Sequence, residues 1–330
     1  MTKTLGLFFI ILMAAFLFFY FWASSANIDN AQQELISAPI DEDTNYRKGD
    51  TLTIMTFNIG YLSGMTNNLA IEREELIYKN NLSGAKTLIR NSRPDIIGFQ
   101  EIDIDSDRSY HYNQVDSLTK ATNFDHVYTS INWDKKYVPF PYWPIRFQFG
   151  QVVSGQSIIS QFPIAKGEDQ VLIKPLNAPF YYNDFYLDRL IQIVTIKVGD
   201  QDVIVMNVHL EAFDMETRQL HLEALKKQYL KYSIDHPVIL MGDFNSNYSD
   251  QEAAMQSLLK SKYLRACYDR STDTNNFTFS SENPSLLLDY IFYNDNWIKK
   301  IDAKILKEAN QISDHLPVLM RFTLKDKNAW

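Results

Sequence analysis

Cysteine is nearly absent. Cys267 stands alone in 330 residues, which excludes an internal disulfide, a thiolate metal cluster and a CxxC redox pair. Basic charge is also in deficit, with 32 Lys and Arg against 40 Asp and Glu and a net charge of −8. That balance argues against a broad cationic surface for nucleic acid and leaves room only for a smaller contact. The chain contains no GxxxxGK[ST], no GxSxG and no HExxH, so it carries neither a P-loop, nor an α/β-hydrolase nucleophile elbow, nor a zincin helix. What is present is a globular composition, 45% hydrophobic and 22% charged, ample for a sizeable core.

One long apolar run stands apart. Residues 5–23 read LGLFFIILMAAFLFFYFWA without a charge, close to the ~20 residues that cross a bilayer core and longer than the ~7–15 of a signal-peptide core. Lys3 precedes the run, whereas Asp29, Glu34, Asp41, Glu42 and Asp43 follow it, an asymmetry that places the bulk of the chain outside the cytoplasm. Length favours a retained anchor over residues 1–26. The small residues Ser24, Ser25 and Ala26 keep a cleaved signal as the alternative, and both readings export the remainder. Residues 27–48 are polar, acidic and aperiodic, as expected of a tether. Residues 49–330 show no repeat and no Gly/Ser-rich divider, so one domain is expected.

Within that domain, short apolar runs alternate with helical patterns. Residues 51–58, 95–100, 156–160, 191–198, 202–208, 238–241, 288–293 and 316–322 read as strands, and 71–93 and 216–232 as helices, the first closed by Pro94. Many strands with few helices predict an α+β fold of two stacked sheets covered by helices.

Polar residues stand where the strands end. Asn58, Glu101, His209, Asp243 with Asn245, Asp289, and Asp314 with His315 each flank an apolar run, where a rigid scaffold would aim them into a common cleft. The DxN spacing of Asp243 and Asn245 puts both on one side if the backbone stays extended. A lone Asp at such a place is usually a turn or cap, and His111, His126, His221 and His236 are read as ordinary structural histidines. Six strand ends with compatible chemistry are harder to attribute to capping. Carboxylates and amides without thiolates are hard oxygen donors suited to Mg²⁺, with Mn²⁺ or Ca²⁺ as variants. Two imidazoles can hold or move protons near neutral pH. A divalent cation beside a positioned base is suited to hydrolysis of phosphoesters.

The segments TFNIG (56–60), FQEID (99–103), SGQSIISQFPI (154–164), NVHLEAF (207–213), MGDFNS (241–246), LDYIF (288–292) and SDHLPV (313–318) resemble, in order, the motif set of the endonuclease/exonuclease/phosphatase superfamily, the DNase-I-like metal-dependent phosphohydrolases. The resemblance implies a four-layer α/β/β/α sandwich of two mostly antiparallel sheets with the site at one end. It implies that Glu101 is the principal metal ligand, supported by Asn58 and, at a second position, Asp314. It implies that His315 contacts the scissile phosphate or activates water while Asp289 orients it, that Asp243 handles a proton or polarises water, and that Asn245 contacts the phosphate. His209 matches a general acid toward the leaving oxygen. Arg189 falls where several members keep a phosphate-binding arginine, a salt-bridged strand residue being its other reading.

The motifs do not distinguish lipid, nucleic acid and small phosphoester substrates. Two features lean toward a membrane-associated phosphoester, with a nuclease as the alternative and a silent tethered binding protein behind it. One is the anchor. The other is residues 137–149, YVPFPYWPIRFQF, which read either as an apolar lip at an interface or as a loop packed over the core. The lysine pairs 135–136, 226–227 and 299–300 are read as solvated surface.

Overall fold

The structure, a computed structural model, describes residues 2–28, 33–37, 46–47, 49–122, 124–247, 253–268 and 276–325. Its elements in chain order are α1 (Thr2–Ser24), β1 (Gln33–Ser37), β2 (Leu52–Asn58), α2 (Glu75–Ser92), β3 (Ile96–Asp103), α3 (Gln114–Thr122), β4 (His126–Val138), β5 (Gly150–Ser160), β6 (Ile164–Val171), α4 (Phe180–Asn183), β7 (Leu190–Val198), β8 (Gln201–His209), α5 (Met215–Ser233), β9 (Val238–Asp243), α6 (Ala253–Leu259), β10 (Arg265–Ala266), β11 (Asp289–Tyr293), β12 (Ile298–Ile305) and β13 (Val318–Leu324). They form a seven-stranded sheet of order β1-β4-β5-β3-β2-β13-β12 and a six-stranded sheet of order β10-β11-β9-β8-β7-β6. The neighbouring strands are antiparallel except for β2 with β3 and β8 with β9, the two pairs whose connections contain α2 and α5. Such a crossover is what a parallel pair requires.

Strand alternation explains the layering. In β2, Ile54 faces the space between the sheets, while Met55 and Phe57 face outward beneath α2. In β9, Ile239 and Met241 face inward, while Val238 and Leu240 pack under α5. A period of two thus fills an inner and an outer apolar layer at once, which is why β9 opens on an unbroken apolar run, VILM. The α+β architecture expected from the sequence is the one observed.

Helix ends follow local chemistry. Asp214 caps α5, its Oδ1 accepting from Glu216 N at 3.2 Å. Arg93, with φ 48°, closes α2 in the left-handed region and hands the chain to Pro94. The helix expected over 71–93 starts only at Glu75. Within the expected tether, residues 33–37 instead pair antiparallel with 126–130 of β4; the rest of 29–45 lies outside the described residues. Lys135 is not a solvated charge, because its Nζ donates to Ser24 O at 2.9 Å.

Candidate active site

The phase of the alternation decides which side chains reach the rim. Counting from the inward residues Ile54, Val205, Met241 and Ile291, every second position brings Asn58, His209, Asp243 and Asp289 to the inner face at or near the strand ends. Glu101 breaks this rule. Gln100 and Glu101 lie opposite the single residue Gln156 in a β-bulge between the Phe99–Ser157 and Ile102–Gly155 pairs, and Glu101 has φ 52°. Without the bulge Glu101 would share the outward face of Phe99, under the helices; with it, the carboxylate turns to the rim.

The gathered groups form two linked clusters. In the first, Asn67 Nδ2 donates to Glu101 Oε2 at 2.9 Å and stands 3.4 Å from both carboxylate oxygens of Asp314. In the second, His315 Nδ1 lies 2.8 Å from Asp289 Oδ2, and His315 Nε2 and His209 Nε2 both lie 3.7 Å from Asp243 Oδ2. Asn58 Nδ2 donates to Asp243 Oδ2 at 2.9 Å, and His209 Nε2 stands 3.6 Å from Glu101 Oε1. Asn58, Glu101, His209, Asp243, Asp289, Asp314 and His315 therefore come together. The condition for placing Asp243 and Asn245 on one side, an extended backbone, is not met, since Asn245 has φ 49° and its N–H turns back to Asp243 Oδ1 at 2.8 Å. Its side-chain amide donates to Leu210 O at 3.0 Å, at the edge of the cluster.

Arg189 immediately precedes β7 and is buried. Its Nη2 donates to Tyr186 OH at 2.8 Å and its Nε lies 3.7 Å from Glu211 Oε2. Nε and Nη1 are buried without a hydrogen-bond partner, which leaves donor capacity of the kind an anion takes up. Arg189 thus has features of both of its sequence readings. Of the remaining histidines, His221 is a core residue 2.7 Å from Ile173 O, and His111 contacts Asp105 and Asp107.

Burial shapes the electrostatics. It raises the Glu101 carboxyl above its ordinary range, and Asp314 adds to the rise. It raises Asp243 likewise, against the pull of His315 and with Asp289, its direct cross-strand partner, adding to it. His209 is driven well below its ordinary value by burial, with Arg189 and His315 contributing. Burial alone would lower His315 too, but Asp289 and Asp243 outweigh it and hold the imidazole well above its usual value. Two histidines a few ångströms from one carboxylate are thus biased to opposite protonation states.

The donor set fits a divalent cation. Glu101 and Asp314 are hard oxygen donors brought together by Asn67, and Asp314 adds to the rise of the Glu101 carboxyl, while Asp243, Asp289 and His315 each place a ligand atom within 4.8 Å of the others. Asp289 Oδ1 is buried without a partner. Neighbouring carboxylates, one of them with an oxygen left unsatisfied, are what a bound cation would relieve.

Asn67, Glu211 and Tyr186 were not singled out in the sequence. Neither was the amide cluster between the sheets, where Asn207 Nδ2 donates to Phe99 O at 2.9 Å and to Gln192 Oε1 at 3.1 Å, and Gln100 Nε2 donates to Asn207 Oδ1 at 2.5 Å. Polar residues at inward strand positions were the available signal.

Known proteins bear on this arrangement. The crystal structure of an endonuclease/exonuclease/phosphatase from Beutenbergia cavernae superposes with a TM-score of 0.64 at 21% identity, over 83% of this chain and 72% of that one. A second, from Bacteroides vulgatus, gives 0.60 at 15% identity over 84% and 100%. Among curated sequences, a UPF0294 protein of Vibrio cholerae is 31% identical over 124 residues, 38% of this chain and 41% of that protein, so the chain matches less than half the length of that relative. The family profile described as Endonuclease/Exonuclease/phosphatase covers residues 55–315. Because that span reaches from β2 to His315 and takes in every residue gathered at the rim, the chain belongs to the endonuclease/exonuclease/phosphatase family.

Proposed function

We propose that the chain is a Mg²⁺-dependent phosphoester hydrolase, with Mn²⁺ as a substitute metal, held on a membrane by α1 with its folded domain outside the cytoplasm. Its substrate on this reading is a lipid headgroup or other small phosphoester. The observation that carries the proposal is the meeting of Glu101 and Asp314 with the His209, Asp243 and Asp289–His315 group at one end of both sheets. Family members are phosphoester hydrolases. For α1, the support is a helix, Lys3–Ser24, long and apolar enough to cross a bilayer.

Glu101 and Asp314, with Asn58 behind them, would hold the cation, which when bound polarises the phosphoryl group and offsets its charge. Asp289 orients the His315 ring through the 2.8 Å contact to Nδ1, so that Nε2 faces the Asp243 side and the reacting phosphate. Asp243, held above the ordinary carboxylate range, is placed to accept a proton from attacking water. His209 is neutral in the protein alone; an anionic phosphoryl group beside it raises its affinity for a proton, as an acid toward the leaving oxygen requires. Arg189 offers Nη1, which has no hydrogen-bond partner, and Asn245 its amide, to phosphoryl oxygens.

The test is a panel of phosphomonoesters, phospholipids and single- and double-stranded DNA, offered to the full chain with Mg²⁺ or with EDTA. Metal-dependent release of phosphate or headgroup is expected, reduced ~10²–10⁴-fold by His315→Ala. Cleavage of DNA alone would replace the substrate reading with a nuclease. Turnover that survives both EDTA and His315→Ala would overturn the assignment.

A further inference from the structure

The end of α1 is built into the folded domain. Phe19 and Trp22 lie against Tyr137, with ring centroids 5.8 and 6.5 Å apart, and Tyr20 packs edge-on against Phe185 at 5.6 Å while its hydroxyl donates to Asp184. Ala23 is fully buried. Ser24 O accepts from Lys135 Nζ and Ser25 O from Lys136 N, both at 2.9 Å. Asp134 receives Asn27 N, Asn27 Nδ2 and Ile28 N at 2.7–3.0 Å. The helix therefore meets the domain through a hydrogen-bonded joint at β4.

Large apolar side chains surround that joint. Trp143 is 75% exposed and Phe180 73%, with Tyr142, Ile145 and Tyr181 also open. Phe180 lies 6.4 Å from Tyr20. Between Ile145 and Phe147 stands exposed Arg146, a cation suited to lipid phosphates. Phe149 alone of this loop's aromatics is fully buried, so residues 137–149 contain both a packed base and an open tip.

Strand register places this patch at the catalytic end. Trp133 pairs with Ser154, and Ser154 with Asp103, two residues beyond Glu101. The β4–β5 hairpin continues to the Val138–Gly150 pair, roughly 15 Å past the rim at ~3.3 Å per residue. The α4 segment leads straight to Tyr186 and its hydrogen bond with Arg189. Trp133 Nε1 of β4 donates to Phe185 O, just past α4, at 2.9 Å, and consecutive residues of α1 touch both parts, Phe19 against Tyr137 and Tyr20 against Phe180, so hairpin and α4 are neighbours.

We infer that this aromatic collar, made by the tip of the β4–β5 hairpin and by α4, is the surface on which the folded domain rests on a lipid bilayer, with the catalytic rim turned toward the headgroups. The inference rests on α1 being a retained anchor. A spanning helix that ends in a fixed joint sets the neighbouring surface at the level of the headgroups, where Trp and Tyr partition favourably.

The experiment uses the full chain in phosphatidylcholine–phosphatidylglycerol vesicles, with Trp143→Cys or Tyr181→Cys carrying an environment-sensitive fluorophore. Ile234→Cys is the control, 77% exposed in the connection from α5 to β9 at the opposite end of the sheets. The native Cys267 stays unlabelled because it is buried and its thiol is pushed up to about 12 by that burial. At positions 143 and 181 the emission should shift to the blue, iodide should quench several-fold less than at 234, and acyl-brominated lipid should quench strongly. A membrane-bound chain whose labels at 143 and 181 are as open to iodide as that at 234 overturns the seating and leaves the anchor reading standing. Recovery of the chain as a shortened soluble product overturns both.

Discussion

Asn67 donates to Glu101 and stands within 3.4 Å of both Asp314 oxygens, so its amide holds two mutually repelling carboxylates in place. On the metal site proposed above, Asn67→Ala should weaken Mg²⁺ binding about 10–100-fold, as loss of a partner behind a ligand does, and calorimetric titration of the variant would measure it. Asn67 sits in no motif, and only the turn through Gly60, Tyr61 and Leu62, all at positive φ, brings it back over the rim. The strand-end residues were legible because an apolar run announces its own end. The opposed histidines predict a pH dependence. His209, lowered on folding, contributes stability present above its unfolded pKa of about 6.5 and lost as pH falls below it, because the unfolded chain then binds the extra proton. His221, lowered mainly by burial, acts in the same direction. His315, raised on folding, contributes below about 6.5 and is lost as pH rises through its folded pKa. Urea unfolding from pH 5 to 8 should therefore show an acid loss that His209→Gln makes shallower; an unchanged acid limb would contradict the neutral His209.

At the scale of the element, what could be read followed how much of a strand is buried. β2, β3, β8 and β9 are buried almost throughout and their apolar runs were plain. β6, which reads IAKGEDQV, and β12, which reads IKKIDAKI, occupy sheet edges and each has a single buried residue; charge on an edge strand protects it from pairing with other chains and hides it from a search for apolar runs. β4 escaped for a related reason, its far half carrying Asp134, Lys135 and Lys136 to the joint with α1. The bulge at Glu101 had no signature beyond its motif. Gly242, by contrast, is demanded by the turn of β9: with φ 141°, an added Cβ would stand 2.0 Å from Val208 O. Gly242→Ala should cost about 1–3 kcal/mol from overpacking, with backbone strain in addition, and displace Asp243; thermal unfolding and turnover should fall together.

For the whole molecule, the resemblance supplied the sandwich, but nothing in composition or periodicity said how the sheets are held in register. The amide cluster supplies part of that register. Asn207→Leu would leave Phe99 O, Gln192 Oε1 and Gln100 Nε2 without their bonds to that side chain, at a cost of about 1–3 kcal/mol for each group left unsatisfied. A loss of at least 2 kcal/mol in denaturant unfolding, with Glu101 otherwise intact, is the expected result.

The two parallel strand pairs divide the site into jaws. Asn58 closes β2 and Glu101 stands two residues before the end of β3 in one jaw, and His209 and Asp243 close the strands of the other. Asn58 to Asp243 and His315 to Asp289 bridge the gap, with Gln100 to Asn207 behind them. Within a jaw, ladder hydrogen bonds fix every spacing; between the jaws, the gauge is set by a few side-chain bonds. Loops can therefore be exchanged around the opening without altering the gauge, whereas a single amide lost between the sheets would change the clearance of the whole opening.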